Sequence, residues 1–102
     1  MAYYAHKLSD ILAVLRRQKK YLGKKYKIKE IGVFGSYVRG DQTSESDLDI
    51  LVNYMDDSID IFDFLDLKEY LSDLISIKVD LVMKDGLKPG IGKNILQEVR
   101  YA

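Results

Sequence analysis

The sequence contains no cysteine, no tryptophan, a single histidine (His6) and a single proline (Pro89) among its 102 residues. Without cysteine the chain can form neither a disulfide bond nor a thiolate metal site. One histidine cannot supply the ligand pairs of a typical structural zinc site. These absences exclude disulfide-stabilised scaffolds, zinc fingers and enzymes that use a cysteine–histidine nucleophile pair.

Long hydrophobic runs are also missing. No apolar segment approaches the roughly 20 residues that a membrane-spanning helix needs, and the first ten residues lack the apolar block of a signal peptide. We therefore expect a cytoplasmic protein with no membrane contact. A chain of this length is expected to form a single domain over residues 1–102 with one hydrophobic core.

The charges balance in number but not in position. Sixteen basic and sixteen acidic residues give a net charge of zero, yet residues 16–29 carry eight lysines and arginines without an acid. Such a segment is typical of a solvated helix face, although it could also steer a nucleotide or nucleic acid toward a site. Only Tyr21 and Tyr26 interleave with it, so we do not expect nucleic acid to be a partner.

Hydrophobic periodicity predicts alternating helices and strands. Strands are predicted at 28–34, 48–54 and 77–83. Helices are predicted from Ser9, as a cap, to Gly23, from about Ser58 through Leu74, and from Pro89 through Val99, with a short helical turn after Ser36. The pattern indicates an α/β (α+β) fold in which a small mixed β-sheet is flanked by helices.

The most informative segment joins a Gly-Ser turn to an Asp-x-Asp pair. Gly35 and Ser36 follow one apolar run, and Asp47 and Asp49 lie at the start of the next. Glycine lets the backbone approach a ligand closely, while the serine could cap the following turn and bond to a phosphate. Side chains two apart on a strand share one face, so both carboxylates are predicted to point into the same space.

A third acid, Asp80, interrupts the third predicted strand. A carboxylate within a β-branched run either faces solvent or joins a charged site. Together with Asp47 and Asp49 it could hold two divalent ions at the roughly 3.5 to 4 Å spacing that suits in-line phosphoryl displacement. Mg²⁺ prefers such oxygen ligands in combination with substrate phosphates. The pattern therefore indicates phosphate and metal chemistry.

Each part of this pattern also has an ordinary structural interpretation. Gly-Ser turns are common in loops, Ser46-Asp47 could be a simple turn cap, and Arg39 could pair with Asp41 instead of a phosphate. A P-loop is excluded, because Asp41-Gln42 stands where that motif requires lysine and serine or threonine.

The combined spacing is more specific than its parts. Gly35-Ser36, ten intervening residues, Asp47-x-Asp49 and the later Asp80 resemble the DNA polymerase β nucleotidyltransferase superfamily. Within it, Gly35-Ser36-x-x-Arg39-Gly40 and Ser46-Asp47-x-Asp49 look like the minimal nucleotidyltransferase (MNT) group. The resemblance spans about residues 28 to 102, including Ile95-x-x-Glu98-Val99. It implies a polymerase-β-like nucleotidyltransferase fold.

The resemblance also implies roles for individual residues. The nucleotide contacts would be Gly35, Ser36 and Arg39. The metal ligands and catalytic residues would be Asp47, Asp49 and Asp80. Two Mg²⁺ ions and ATP as substrate are implied, and Asp80 would also help to deprotonate the attacking hydroxyl.

Many members of the MNT group are antitoxins encoded beside a HEPN-domain ribonuclease. The implied reaction is the transfer of AMP from ATP to a tyrosine of that toxin, so a HEPN-domain toxin is the expected partner. Two alternatives stay open: an antitoxin that acts by contact without catalysis, and an enzyme that modifies a small molecule such as an aminoglycoside. The complete triad argues against the first, and the lack of an acceptor domain against the second.

One further segment has two interpretations. Phe62 and Phe64 lie on the second predicted helix, among the acidic residues of 60–73. The simpler prediction is an apolar core stripe with an acidic solvent face. The alternative is an acidic docking surface for a basic partner.

Overall fold

The computed structural model describes residues 7–102, so His6 and the other residues before Lys7 lie outside the described part of the chain. The elements in chain order are α1 (Leu8–Tyr26), β1 (Ile28–Phe34), α2 (Ser36–Arg39), β2 (Leu48–Tyr54), α3 (Ile61–Ile75), β3 (Val79–Met83), α4 (Ile91–Glu98) and β4 (Arg100–Tyr101).

The four strands form one mixed sheet in the order β3-β2-β1-β4. β1 pairs antiparallel with β2 and β4, whereas β2 and β3 are parallel. A parallel pair needs a crossover connection, which α3 provides. The architecture is therefore the mixed sheet with flanking helices that the sequence predicts.

The main core lies between one face of the sheet and the helices α1 and α3. Alternate residues of β2 point into it, because side chains on a strand alternate between faces. Its fully buried members include Ile11, Leu15, Leu22, Ile50, Leu67 and Leu71. This face holds the two longest helices and the largest part of the buried apolar surface.

Within residues 7–102, the opposite face of the sheet is covered by α4 and its neighbours alone. A small second cluster forms here around Phe34, Leu51 and Val99, with Ile95 of α4 packed against it. Because so few side chains cover this face, its polar residues near the strand ends remain accessible. The candidate site lies on this face.

Helix α1 is longer at its C-terminus than the sequence predicts. Gly23 lies inside the helix, which ends at Tyr26 and is followed by Lys27 as C-cap, in the left-handed conformation with φ 58°. The last turn is held by Tyr26, which is buried, packs against Tyr21 and Tyr70, and donates a 3.1 Å hydrogen bond to Asp66. These tertiary contacts outweigh the low helix propensity of glycine.

Three other predicted boundaries are wrong by a few residues. Lys7 precedes α1 in place of Ser9, without a side-chain cap. Helix α3 is capped by Asp60, whose side chain accepts from Asp63 N at 2.9 Å in a reciprocal capping box, and not by Ser58. Helix α4 begins after Gly90 and not at Pro89. Asp60 is a good cap because its carboxylate satisfies an amide that has no partner within the helix.

Two strand predictions also need correction. β3 begins at Val79, two residues later than predicted, and β4 has no counterpart in the sequence analysis. β4 contains two exposed residues and exists through its pairing with Gly32 and Val33. A two-residue exposed strand has no hydrophobic periodicity from which it could be predicted.

The surface agrees with one prediction and corrects another. The basic residues at 16, 17, 19, 20, 24, 25, 27 and 29 are all exposed, as expected of a solvated face. Phe62, however, is 76% exposed and Ile61 60%, so neither belongs to the core stripe. That stripe is formed by Leu67, Leu71 and Ile75. No helix within residues 7–102 is long and apolar enough to cross a membrane.

Candidate active site

The Gly-Ser segment forms a tight turn between β1 and α2. Gly35 has φ 79°, a left-handed conformation that side chains rarely tolerate, and its carbonyl accepts from Val38 N at 3.0 Å and Arg39 N at 3.2 Å. Gly35 itself is the N-cap of α2, and no side-chain hydrogen bond caps this turn. The predicted capping role of Ser36 is therefore wrong, because Ser36 is already the first helical residue.

Two of the three predicted carboxylates are direct neighbours in the sheet. Asp49 of β2 lies opposite Phe34 at the end of β1, and on its other side it is in register with Asp80 of β3. Asp49 alternates with Leu48 and Ile50, which point into the main core. Asp49 and Asp80 therefore share the sparsely covered face of the sheet.

Asp47 lies just before β2 and is exposed, whereas Asp49 is half-buried. Burial, followed by the negative charges of Asp80 and Asp47, raises the pKa of Asp49 from 3.8 to about 6; a hydrogen bond with Asp80 adds to the effect and Arg39 opposes it. The pKa of Tyr37 is also raised, first by burial and then by the charge of Asp47. The negative charges of Asp47 and Asp80 thus reach Asp49.

Gly35 and Asp49 are in close contact. A β-carbon built on Gly35 would overlap Asp49 Oδ2 and lie 3.0 Å from Asp49 Cγ. The absence of a side chain at Gly35 therefore has two causes: the backbone conformation and the room that the Asp49 carboxylate needs.

Arg39 connects the turn to the C-terminal helix. Its Nη1 atom lies 3.1 Å from Glu98 Oε2 and 3.2 Å from Glu98 Oε1, and its Nε lies 3.2 Å from Asp41 Oδ2. The pairing with Asp41 that the sequence suggested is present, but Glu98 is the larger cause of the raised pKa of Arg39. The backbone N–H of Gly35 also donates to Glu98 Oε1.

A cavity of about 300 Å³ brings these groups together. It is lined by Gly35, Arg39, Asp49 and Glu98 on its polar side and by residues of β1 and α4 on its apolar side. The cavity has the mixed lining expected of a small-molecule site, with few polar groups that converge. It places an amide donor and a guanidinium beside the carboxylates of Asp49 and Glu98, whereas Ser36, Asp47 and Asp80 are not among its lining residues.

The donor set suits a hard divalent cation. The like charges of Asp47 and Asp80 raise the pKa of Asp49, and a bound cation would relieve that repulsion. Among residues 7–102, however, no three acidic, histidine or cysteine side chains already stand in a closed metal cluster. Asp47 is exposed and precedes β2, so its side chain is not held by packing in the core.

Glu98 is a site residue that the sequence analysis did not assign. It follows Ile91 and Ile95 at helical spacing, so an acid falls on the stripe that should be apolar. That irregularity is a detectable signal. The partners of Glu98 could not be predicted from the sequence, because they lie 59 and 63 residues away along the chain.

Comparison with known proteins identifies the family of the chain. Residues 15–102 match the model of the nucleotidyltransferase domain family. A relative from Thermococcus cleftensis, named protein adenylyltransferase MntA, is 47% identical over 94 residues, covering 92% of this chain and 94% of the relative.

Two solved structures share the fold. A toxin–antitoxin complex with AMP-PNP has a chain that is 26% identical with a TM-score of 0.70, matched over 84% of this chain and 69% of the other. A complex of a tri-AMPylated Shewanella oneidensis HEPN toxin with its MNT antitoxin has a chain that is 22% identical with a TM-score of 0.64, over 89% and 70% of the two chains. The present chain belongs to the nucleotidyltransferase domain family and is a minimal nucleotidyltransferase.

Proposed function

We propose that this protein is the antitoxin of a HEPN/MNT pair and transfers AMP from ATP to a tyrosine hydroxyl of its toxin in a Mg²⁺-dependent reaction. The observation that carries the proposal is the register of Asp49 with Asp80 beside the Gly35 turn. The relative named as a protein adenylyltransferase and the toxin–antitoxin neighbour with AMP-PNP support the reaction class and the nucleotide.

The phosphate chain is assigned to the groups around the Gly35 turn. The amide of Gly35 and the guanidinium of Arg39 are donors directed at one anion, here the carboxylate of Glu98. These two donors can bind phosphate oxygens as well as they bind a carboxylate. Ser36, which is half-buried, would add one hydroxyl contact.

The acceptor is assigned to the side of the site where Asp80 lies. Asp80 is exposed on β3, the outermost strand next to β2, so a large protein can reach it. The tyrosine oxygen forms a bond to the α-phosphorus, the bond from that phosphorus to the pyrophosphate oxygen breaks, and the hydroxyl proton passes to Asp80. Mg²⁺ held by Asp47, Asp49 and Asp80 would neutralise charge that develops on the phosphate oxygens.

The open form of the site favours a protein acceptor over a small molecule. The cavity of about 300 Å³ has room for part of a nucleotide, and Asp80, the neighbour of Asp49 in the sheet, is exposed outside its lining. An acceptor that brings its own surface is therefore a better match than one that needs a second pocket. This consideration favours the protein adenylyltransferase over the aminoglycoside-type alternative.

Co-expression with a HEPN-domain toxin from the same genome tests the proposal. We expect growth rescue by wild type and a toxin that gains one or more AMP masses on a tyrosine. The double variant D47N/D49N should leave the toxin unmodified, while Asp73→Asn, on the helix that packs on the opposite face of the sheet, is the control for loss of a negative charge outside the site. If D47N/D49N rescues growth as well as wild type, and the toxin gains no mass with either protein, then the antitoxin acts by contact and not by catalysis.

A further inference from the structure

We propose that the carboxylate of Glu98 acts as an internal substitute for phosphate: it occupies the anion-binding groups of Gly35 and Arg39 and must leave them before a nucleotide's phosphate chain can bind. The inference rests on the proposed function for the identity of the nucleotide. In this inference Glu98 lowers the affinity of the site for phosphate ligands and thereby influences which ligands bind.

The contacts of Glu98 are those that a phosphate group would make. One oxygen, Oε1, accepts from the backbone N–H of Gly35 and from Arg39 Nη1, while Oε2 lies 3.1 Å from the same guanidinium nitrogen. A carboxylate and a phosphate both offer a pair of anionic oxygens to a guanidinium. The two ligands therefore compete for one set of donors.

The position of Glu98 makes this competition direct. Its side chain is one quarter exposed and lines the same cavity as Asp49, at the last residue of α4. A rotation of the side chain toward solvent would release both donors without disturbing Ile95, which packs against the small cluster beneath. The exchange needs a side-chain movement and no opening of the fold.

The negative charge of Glu98 also has an electrostatic consequence. Arg39 has two acidic partners, Glu98 and Asp41, so its charge is already compensated before any ligand arrives. A ligand that brings several phosphates can displace Glu98, because it replaces both contacts and adds others. A ligand without a phosphate at the Gly35 turn gains nothing from the displacement, so Glu98 would select for longer phosphate chains.

The same exchange would assist product release. After transfer the leaving pyrophosphate holds the donors of Gly35 and Arg39, and the Glu98 carboxylate is tethered on α4 beside them. A tethered competitor has a high effective concentration, so it reoccupies the donors once the anion has left and opposes its rebinding. Loss of Glu98 should therefore tighten binding of both the substrate phosphates and pyrophosphate.

Calorimetric titration of the purified full chain with inorganic tripolyphosphate tests the inference apart from the transfer reaction. We expect Glu98→Ala to bind about tenfold more tightly than wild type, because charged hydrogen bonds no longer compete. Glu98→Gln, which keeps the shape but not the charge, should fall between the two. Adenosine, which has no phosphate, should bind all three proteins equally.

Two charge-matched variants separate competition from general electrostatics. Asp41→Asn removes the other acid at Arg39 but frees no contact at Gly35, and Asp73→Asn removes a charge on α3; each should change tripolyphosphate affinity by about twofold at most. Thermal unfolding confirms that each variant is folded. In wild-type NMR spectra the Gly35 amide signal should move on addition of tripolyphosphate, and it should already be displaced in Glu98→Gln.

Unchanged or weaker tripolyphosphate binding by both Glu98 variants would overturn the inference. So would equal tightening by Asp41→Asn, since the effect would then be general charge. If Glu98→Ala tightens binding but wild type never modifies a toxin, the proposed function fails while the competition at Gly35 stands. If modification proceeds but binding is unaffected by Glu98, the inference fails alone.

Discussion

The carboxylate of Asp49 lies over the α-carbon of Gly35, so that a β-carbon at position 35 would overlap Asp49 Oδ2. The Gly35 turn therefore packs directly against the Asp49 carboxylate of β2, so the proposed phosphate site and the candidate metal ligand are in contact. A substitution at Gly35 acts on Asp49 before it acts on a nucleotide.

Gly35→Ala should lose ATP binding and also destabilise the fold. Gly40→Ala is a partial control, because Gly40 has the same φ of 79° and no atom within 4 Å of the position that a β-carbon would take, but its ψ is 16° and that of Gly35 is −149°. We expect Gly40→Ala to cost about 1 kcal/mol for the backbone conformation, and Gly35→Ala to cost about 1–3 kcal/mol more from crowding at Asp49 and from its less tolerated backbone conformation. Urea unfolding measures the difference, and equal costs would contradict the contact with Asp49.

The raised pKa of Asp49 predicts a pH-dependent stability in metal-free protein. Its pKa is about 6 when folded and 3.8 ordinarily, so the folded state retains its proton longer as pH rises. The free energy of unfolding should then fall between about pH 4 and about pH 7 by about 1–2 kcal/mol, after allowance for solvent screening at this half-buried group.

Asp49→Asn removes this titration and should flatten that part of the stability curve. The variant should be at least as stable as wild type at neutral pH without metal, and yet inactive in transfer, because it loses a charged ligand. Asp73→Asn should retain the wild-type slope. A slope that survives in Asp49→Asn would assign the titration to another group.

Ser36→Ala separates a ligand contact from a structural one. Since Ser36 makes no cap bond in α2, we expect the free energy of unfolding to change by less than about 0.5 kcal/mol. ATP affinity should fall by about 1–2 kcal/mol for the loss of one hydrogen bond to a charged group. Urea unfolding combined with calorimetry measures both, and a large loss of stability would restore the capping role.

Asp60→Ala tests the opposite case, a purely structural acid. Its side chain caps α3 through Asp63 N, and α3 packs on the face of the sheet away from the site. We expect a loss of about 1 kcal/mol in unfolding free energy and no change in ATP affinity measured on fully folded protein. Weakened ATP binding would show that α3 and the site are coupled.

The sequence predicted well those features that depend on neighbouring residues. β1 and β2 have the predicted bounds, because each is an apolar run ended by glycine or polar residues, and Asp49 and Asp80 meet because strand alternation determines their face. Features that depend on distant residues were missed. The last turn of α1 is held by tyrosines from two helices, β4 exists only by pairing, and Glu98 finds its donors across the fold.

The parallel pairing of β2 with β3 has a consequence for the order of events during folding. It is the one parallel pairing among the described strands, and the chain must first close a connection through α3 to form it. Non-local closure of this kind is slow relative to hairpin formation between β1 and β2. Until it is complete, Asp80 has no fixed position beside Asp49, so the paired β1 and β2 strands alone cannot assemble the carboxylate pair of the site.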